Sequence, residues 1–347
     1  MFQGILVVAS AHLEVLTQEL ISQESLFYES EIARVVNERL GRGNLALNDS
    51  TIVAVTLLAA SESIRGNTEK LLIHVDALEK LVALRGGIEK LGFNGLLQMT
   101  ISWVDLTTGA MVSSPPRWPH IKCTNTISRE LFASMRAALR ITTNNPQAEV
   151  VFLTQKDFPT IFNNLKMLSV MLGAAREIKK ANFSSVFYFC SMRFFLEHCL
   201  LSLPASSVEL CSEGGISELS RLTSLIYLHR VLREFQPQVG VLVKLKRKVI
   251  NLCQRIDDFA GCTHRDSLLW VLVCSGTCWV DEGERTFFAE RIAILATHMI
   301  LESWEDIERV LLGFLWIKGM CRDKTEALWR EVEMFMSAAP WMEVLGF

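Results

Sequence analysis

DALEKLVALRGGIEKLG, residues 76–92, runs as a helical stripe and then meets two adjacent glycines, Gly86 and Gly87. The reading of those glycines decides the fold class. A phosphate-cradling loop needs a strand before the glycines, a helix after them, and a further glycine or a Gly-Lys-Ser/Thr at fixed spacing. Leu71, Val75, Leu78 and Val82 instead place a helix in front, and Lys90 is followed by Leu91. Glycine just past a helix end accepts positive φ and lets the last carbonyls be capped. We therefore read a helix stop.

The rest of the chain has the same period. Tyr28, Ile32, Val35, Val36 and Leu40 form a stripe that ends at Gly41. Leu222, Leu225, Ile226, His229 and Leu232 form another, followed by Leu242, Leu245, Val249, Leu252 and Ile256, and by Ile307, Val310, Leu311 and Phe314. Each has apolar residues at the three- and four-residue steps of one helix face. Asp49 before STIVAVTLLAA marks a helix start, as does SWEDI, in which Ser303 stands three residues before Asp306. The one credible strand is EVVFL, Glu149–Leu153, too little for a parallel sheet with crossover helices. The expected fold is all-α, a globular domain of packed antiparallel helices with little or no sheet.

Turn-rich stretches lie at SSPPRWP (113–119), TTNNPQ (142–147) and SLPASSVELCSEGG (202–215), the last read as a mobile loop. None demands a boundary, so residues 1–347 are expected to form one domain, with a cleft or sub-division near 123–150.

Composition narrows the function classes. The 347 residues are 50% hydrophobic, and the formal net charge is −3, which leaves no basic field for general nucleic-acid binding. The densest basic run, KLKRK at Lys244–Lys248, is a candidate nuclear localisation patch, but interleaved with Val243, Leu245 and Val249 it reads more simply as the solvated face of a helix. Nine scattered cysteines, an odd number in a long chain, suggest reduced thiols in an intracellular compartment. The opening MFQGILVVASAHLEVL lacks a basic n-region, and SLLWVLVCSGTCWV (267–280) is too short to span a bilayer and reads as a buried helix.

No chemical motif is complete. Cys274 and Cys278 lie one helical turn apart and Cys262 lies near His264, but neither pair belongs to a two-cluster zinc pattern, and small buried hydrophobes explain the first pair better. His198 beside Cys199 on an apolar helix is equally weak. G-x-S-x-G and H-E-x-x-H are absent. DDFAG (257–261) has a glycine where a diphosphate-binding acidic motif needs its third acid. No catalytic residue, metal or cofactor is expected.

A longer constellation surrounds the glycines: LRGGIEKLG (84–92), ISWVDLTTG (101–109) and PPRWP (115–119). ESEIARVVNERLG and DSTIVAVTLLAASES precede it, and LLWVLVCSG (268–276), ERTFF (284–288) and SWEDIERVLLGFLW (303–316) follow. In order and spacing this resembles the middle homology region of fungal transcription factors of the zinc-binuclear-cluster class. The resemblance implies an all-helical, non-enzymatic regulatory domain, nuclear, acting through protein partners or a homodimer, with a small-molecule effector as a further option. It marks Arg85, Gly86, Gly87, Trp103, Asp105, Pro116, Arg117, Trp270, Trp304 and Trp316 as signature or structural positions. Residues 1–122 contain no cysteine, so the family's zinc cluster is missing and this chain alone is not expected to touch DNA. Either it is part of a longer regulator or it acts through partners. The alternative reading is a helical small-molecule binder or enzyme with an apolar cavity. A buried Asp105 needs partners, and Arg85 and Arg117 are the expected ones, with Trp103 packed beside them.

Overall fold

The computed structural model describes residues 2–17, 21–121, 129–142, 157–178, 183–204, 213–232, 239–256, 261–278, 281–318 and 322–338. Among these, fourteen α-helices and no strand occur: α1 (Phe2–Thr17), α2 (Gln23–Leu40), α3 (Asp49–Arg65), α4 (Thr68–Leu84), α5 (Leu96–Val112), α6 (Arg129–Thr142), α7 (Phe158–Ile178), α8 (Phe183–Ser202), α9 (Glu213–Val231), α10 (Val239–Cys253), α11 (Arg265–Gly276), α12 (Glu282–His298), α13 (Trp304–Leu311) and α14 (Arg322–Ala338). The fold is all-α. EVVFL and most of TTNNPQ lie outside the described residues, as does 205–212 of the expected loop, whose last three residues instead open α9.

The chain packs into two compact units, one of residues 1–126, 183–202 and 236–241, the other of 127–182, 203–235 and 242–347. Each unit is built on a helix buried on almost every side. In the first that helix is α3, which packs against α1, α2, α4 and α5. Such a helix cannot be amphipathic, and its sequence is a mixture of Ile, Val, Leu and small residues: Ile52, Val55, Ala59, Ala60, Ser61 and Ser63 are all buried. Two of its buried hydroxyls donate back along the helix, Thr56 to the Ile52 carbonyl (2.7 Å) and Ser61 to that of Leu58 (2.8 Å). α3 then turns into α4 through Gly66 and Asn67, and Gly66 lies so close to Gly240 that a Cβ on Gly240 would come within 2.7 Å of the Gly66 Cα. Two backbones meet there with no room for a side chain.

Two charged groups break the apolar logic of α3, Glu62 and Arg65. The Arg65 guanidinium is largely shielded from water, with its side chain only 8% exposed. Its Nε donates to Glu14 of α1 (2.8 Å), Nη2 to Ser25 of α2 (2.5 Å), and Nη1 to Glu29 of α2. Burial lowers the Arg65 pKa, but Glu14 and Glu29 more than offset this and hold it above its ordinary value. One cation thus ties three helices together.

α4 carries the stripe of the opening segment on its inner face: Leu71, Val75 and Leu78 are fully buried and Val82 nearly so. It ends in a Schellman arrangement, with the Gly86 N–H donating to the Ala83 carbonyl (3.0 Å) and the Gly87 N–H to that of Val82 (2.9 Å). Gly86 and Gly87 have φ of +98° and +103°. The glycines are a helix stop.

In the second unit the central helix is α11, where every residue from Leu268 to Gly276 is buried; it packs on α9, α12 and α13. Residues 267–276 of the SLLWVLVCSGTCWV segment are therefore helical, and Cys274 in the helix and Cys278 in the turn after it are packed as small hydrophobes, 2% and 5% exposed. No disulfide joins the six cysteines among the described residues. The solvated-face reading of KLKRK needs correction. Lys246 is buried on α10, where it pairs with Glu284 and donates to the Cys278 carbonyl at 3.1 Å; within the run only Arg247 is exposed. The sequence shows the charge of Lys246 but not the carbonyl and carboxylate waiting for it 32 and 38 residues away.

Two outcomes follow for stability. Arg65→Met keeps the side-chain bulk but strands three carboxylates, so equilibrium urea unfolding should show a loss of about 3–5 kcal/mol. A loss under about 1 kcal/mol would mean that those acids relax into water. Gly87→Ala should cost about 1–3 kcal/mol, although no atom lies within 4 Å of the added Cβ, because φ +103° with ψ +165° is open essentially to glycine alone.

Candidate functional site

Two signature residues of the first third, Asp105 and Arg117, meet at the end of α5. That helix stops at Ser113, whose φ of +59° turns the chain into SPPRWP. Asp105, 3% exposed, sits two turns earlier and receives the loop. The Arg117 N–H donates to Oδ2 (2.9 Å) and Oδ1 (3.1 Å), and the Trp118 N–H to Oδ2 (3.2 Å). The Arg117 guanidinium points elsewhere, reaching Asp76 (2.6 Å) and Glu79 (2.8 Å) on the exposed face of α4. From the other side the Trp118 carbonyl takes a hydrogen bond of 3.2 Å from His198 Nε2 of α8. The carbonyl can only accept, so that nitrogen carries the proton. The loop is thereby latched to α4, α5 and α8.

This differs from the cluster expected from sequence. Arg117 is present, but through its backbone amide, and Arg85 is elsewhere. Arg85 caps the end of α4 and lies 3.4 Å from Asp49. Asp49 is also not the cap of α3; Asn48 is, accepting the Ser50 N–H at 3.0 Å, which leaves Asp49 to take the Gly92 N–H at 3.0 Å. Asp49 thus holds the two ends of the RGGIEKLG turn. Trp103 and Pro116 are half-buried on α5 and in the loop.

In the second unit, Trp270 is fully buried, donates Nε1–H to the Leu315 carbonyl (3.0 Å), stacks on Phe314 and meets Phe162 edge-on. Trp304 meets Trp316 and Trp329 with ring centroids 6.0 Å apart in each case. Ser303 and Asp306 form the capping box that SWEDI announces. These aromatic groups pack against one another.

Electrostatics single out two carboxyls. Burial raises that of Asp105 to about 6, against the lowering pull of the Arg117 and Trp118 amides and the Arg117 charge. Burial also raises that of Glu62, against the pull of Lys70 and Arg65. Glu62 is 2% exposed and lines a cleft of about 390 Å³ between α2, α3 and α4, together with His74, whose pKa is lowered by burial. The sequence reading passed over Glu62, Arg65 and His74. A charged pair three residues apart at the end of an otherwise apolar helix was the available signal. Among the described residues, no group of three or more His, Cys, Asp or Glu is placed to hold a metal ion, and no helix is long and apolar enough to cross a membrane.

The model described as fungal specific transcription factor domain matches residues 1–114 and 196–313, about two thirds of the chain, and the chain belongs to that family. No curated protein and no solved structure matches it.

The raised Asp105 carboxyl sets a direction for pH. Because the folded state holds the proton more tightly than the unfolded chain, this group's stabilising contribution is full below its ordinary value of 3.8 and is lost as pH rises through about 6. Against an Asp105→Asn reference, wild-type stability should therefore fall by about 2 kcal/mol between about pH 4 and pH 7. A wild-type-minus-variant difference that stays flat across that range would remove Asp105 as the titrating group.

Proposed function

We propose that this chain is a nuclear transcription-regulatory domain that works by associating with protein partners, a second copy included, and neither catalyses a reaction nor contacts DNA by itself. Family membership supports the regulatory role. The net charge of −3 supports an indirect relation to DNA, since affinity for the duplex grows with the phosphates a protein neutralises. The observation that carries the associative part is the outer face of α1.

α1 has two apolar stripes. Gly4, Val7, Ala11 and Glu14 face inward, at helical steps of three and four. Phe2, Ile5, Ala9, Leu13 and Leu16 follow the same steps on the outside, where Phe2 is 73%, Ile5 56%, Leu13 60% and Leu16 56% exposed. A helix against solvent normally carries charge there. This one presents a continuous apolar ridge about 21 Å long. At Ile5 the ridge borders an apolar groove of about 180 Å³ that includes Leu57, Phe93 and Leu96. An exposed patch of this kind marks an interaction surface.

The cleft at Glu62 supports a second element of the reading, a small-molecule effector that modulates association. Its volume is within the range of ligand pockets, and a buried carboxyl and a half-buried imidazole converge on it.

Fusing the full chain to a heterologous DNA-binding domain tests the main reading. The tethered chain should change reporter transcription several-fold, and the double variant Leu13→Glu, Leu16→Glu should return output to baseline with an unchanged melting temperature, because both side chains are exposed. Output equal to that of the DNA-binding domain alone would overturn the proposal.

A further inference from the structure

Glu62 poses a chemical problem that its own protein neighbours leave unsolved. Its Oε2 is buried and has no hydrogen-bond partner among the described residues. Oε1 fares little better, with Arg65 Nη1 at 3.7 Å and Lys70 Nζ at 3.8 Å, both beyond a hydrogen bond. Arg65 is turned toward Glu14, Ser25 and Glu29, and Lys70 stands half-exposed at the rim. Leaving a buried carboxylate oxygen unmatched is costly.

The charges around it do not balance either. Glu14, Glu29 and Glu62 face Arg65 and Lys70, while burial keeps His74 toward its neutral form. One negative charge remains over. The space above Glu62 is a cleft of about 390 Å³ whose walls are largely apolar, with Leu26 from α2, Leu58 from α3 and Ile73 from α4. Leu26 and Ile73 are 49% and 61% exposed. A missing donor, a missing positive charge and an apolar enclosure coincide.

We propose that this cleft binds a small organic ammonium carried on an apolar body, the ammonium donating to Glu62 Oε2 and the body lying against Leu26, Leu58 and Ile73. An anion of the same shape would meet the carboxylates of Glu29 and Glu62, and a neutral alcohol would supply the hydrogen bond but leave the charge. The site discriminates by charge first and by apolar contact second. Its regulatory meaning rests on the function proposed above, whereas binding itself does not.

Isothermal titration calorimetry on the full chain separates these claims with three probes that share an indole body: tryptamine, tryptophol and indole-3-propionate. Tryptamine should bind with a stoichiometry of one and at least about tenfold more tightly than tryptophol, with indole-3-propionate weakest. Glu62→Gln, which keeps the side-chain shape, should abolish the preference for tryptamine over tryptophol. Ala33→Phe, at an exposed position on the cleft wall, should weaken all three probes while Glu62 stays in place. The proposal falls if tryptamine and tryptophol bind equally, if the preference survives Glu62→Gln, if Ala33→Phe leaves tryptamine binding intact, or if the tryptamine Kd is weaker than about 1 mM. The reporter output of the tethered chain with and without tryptamine bears on regulation alone, so an unresponsive reporter with intact calorimetry removes the effector role and leaves the site standing.

Discussion

One guanidinium organises the first unit. Arg65 leaves the last turn of a helix that is buried on nearly all sides and collects carboxylates from α1, α2 and its own helix. Buried ion pairs are poor sources of net stability, since desolvation consumes most of the Coulombic gain. Their value lies in direction. An apolar α1 could rotate against α3 and still bury Val and Ala; with Glu14 fixed on Arg65 it cannot, because rotation would strand both charges. Glu14 shows the strength of that fixation: burial raises its pKa, but the Ser22 amide and Arg65 draw it below the ordinary glutamate value.

That constraint explains the exposed ridge. A helix advances 100° per residue, so fixing Glu14 inward, in phase with Gly4, Val7 and Ala11, places Leu13, Leu16, Ala9 and Ile5 outward. The ridge is a geometric consequence of Arg65. It is not an excess of apolar residues scattered at random over the surface.

What the sequence made legible follows from the range of the forces involved. Stripes, caps and helix stops depend on residues within one or two turns, so the Leu71–Val82 stripe, the Ser303 capping box and the Gly86–Gly87 stop could be read directly. The buried α11 was legible for a related reason, an uncharged apolar run bounded by Asp266 and Asp281. Polar partners across the fold were not. Lys246 looked solvated until Glu284 stood beside it, and Asp105 was assigned arginine side chains where it takes backbone amides. A side chain that needs a partner announces the need, but a backbone amide 12 residues away has no letter of its own.

The same arginine joins the cleft to the ridge. Glu62 and Glu14 share Arg65, so any change in the charge balance at Glu62 alters how much of the guanidinium's field is available to Glu14 and hence how firmly α1 is held. An ammonium at Glu62 supplies positive charge that Arg65 no longer has to provide there. The guanidinium is then biased toward Glu14 and Glu29, and α1 is held more tightly in the orientation that displays its ridge. Linkage makes this reciprocal: whatever factor the ammonium contributes to association through α1, association contributes to ammonium affinity. Glu62, Arg65, Glu14 and Glu29 thus offer a physical route from the proposed ammonium to a protein surface.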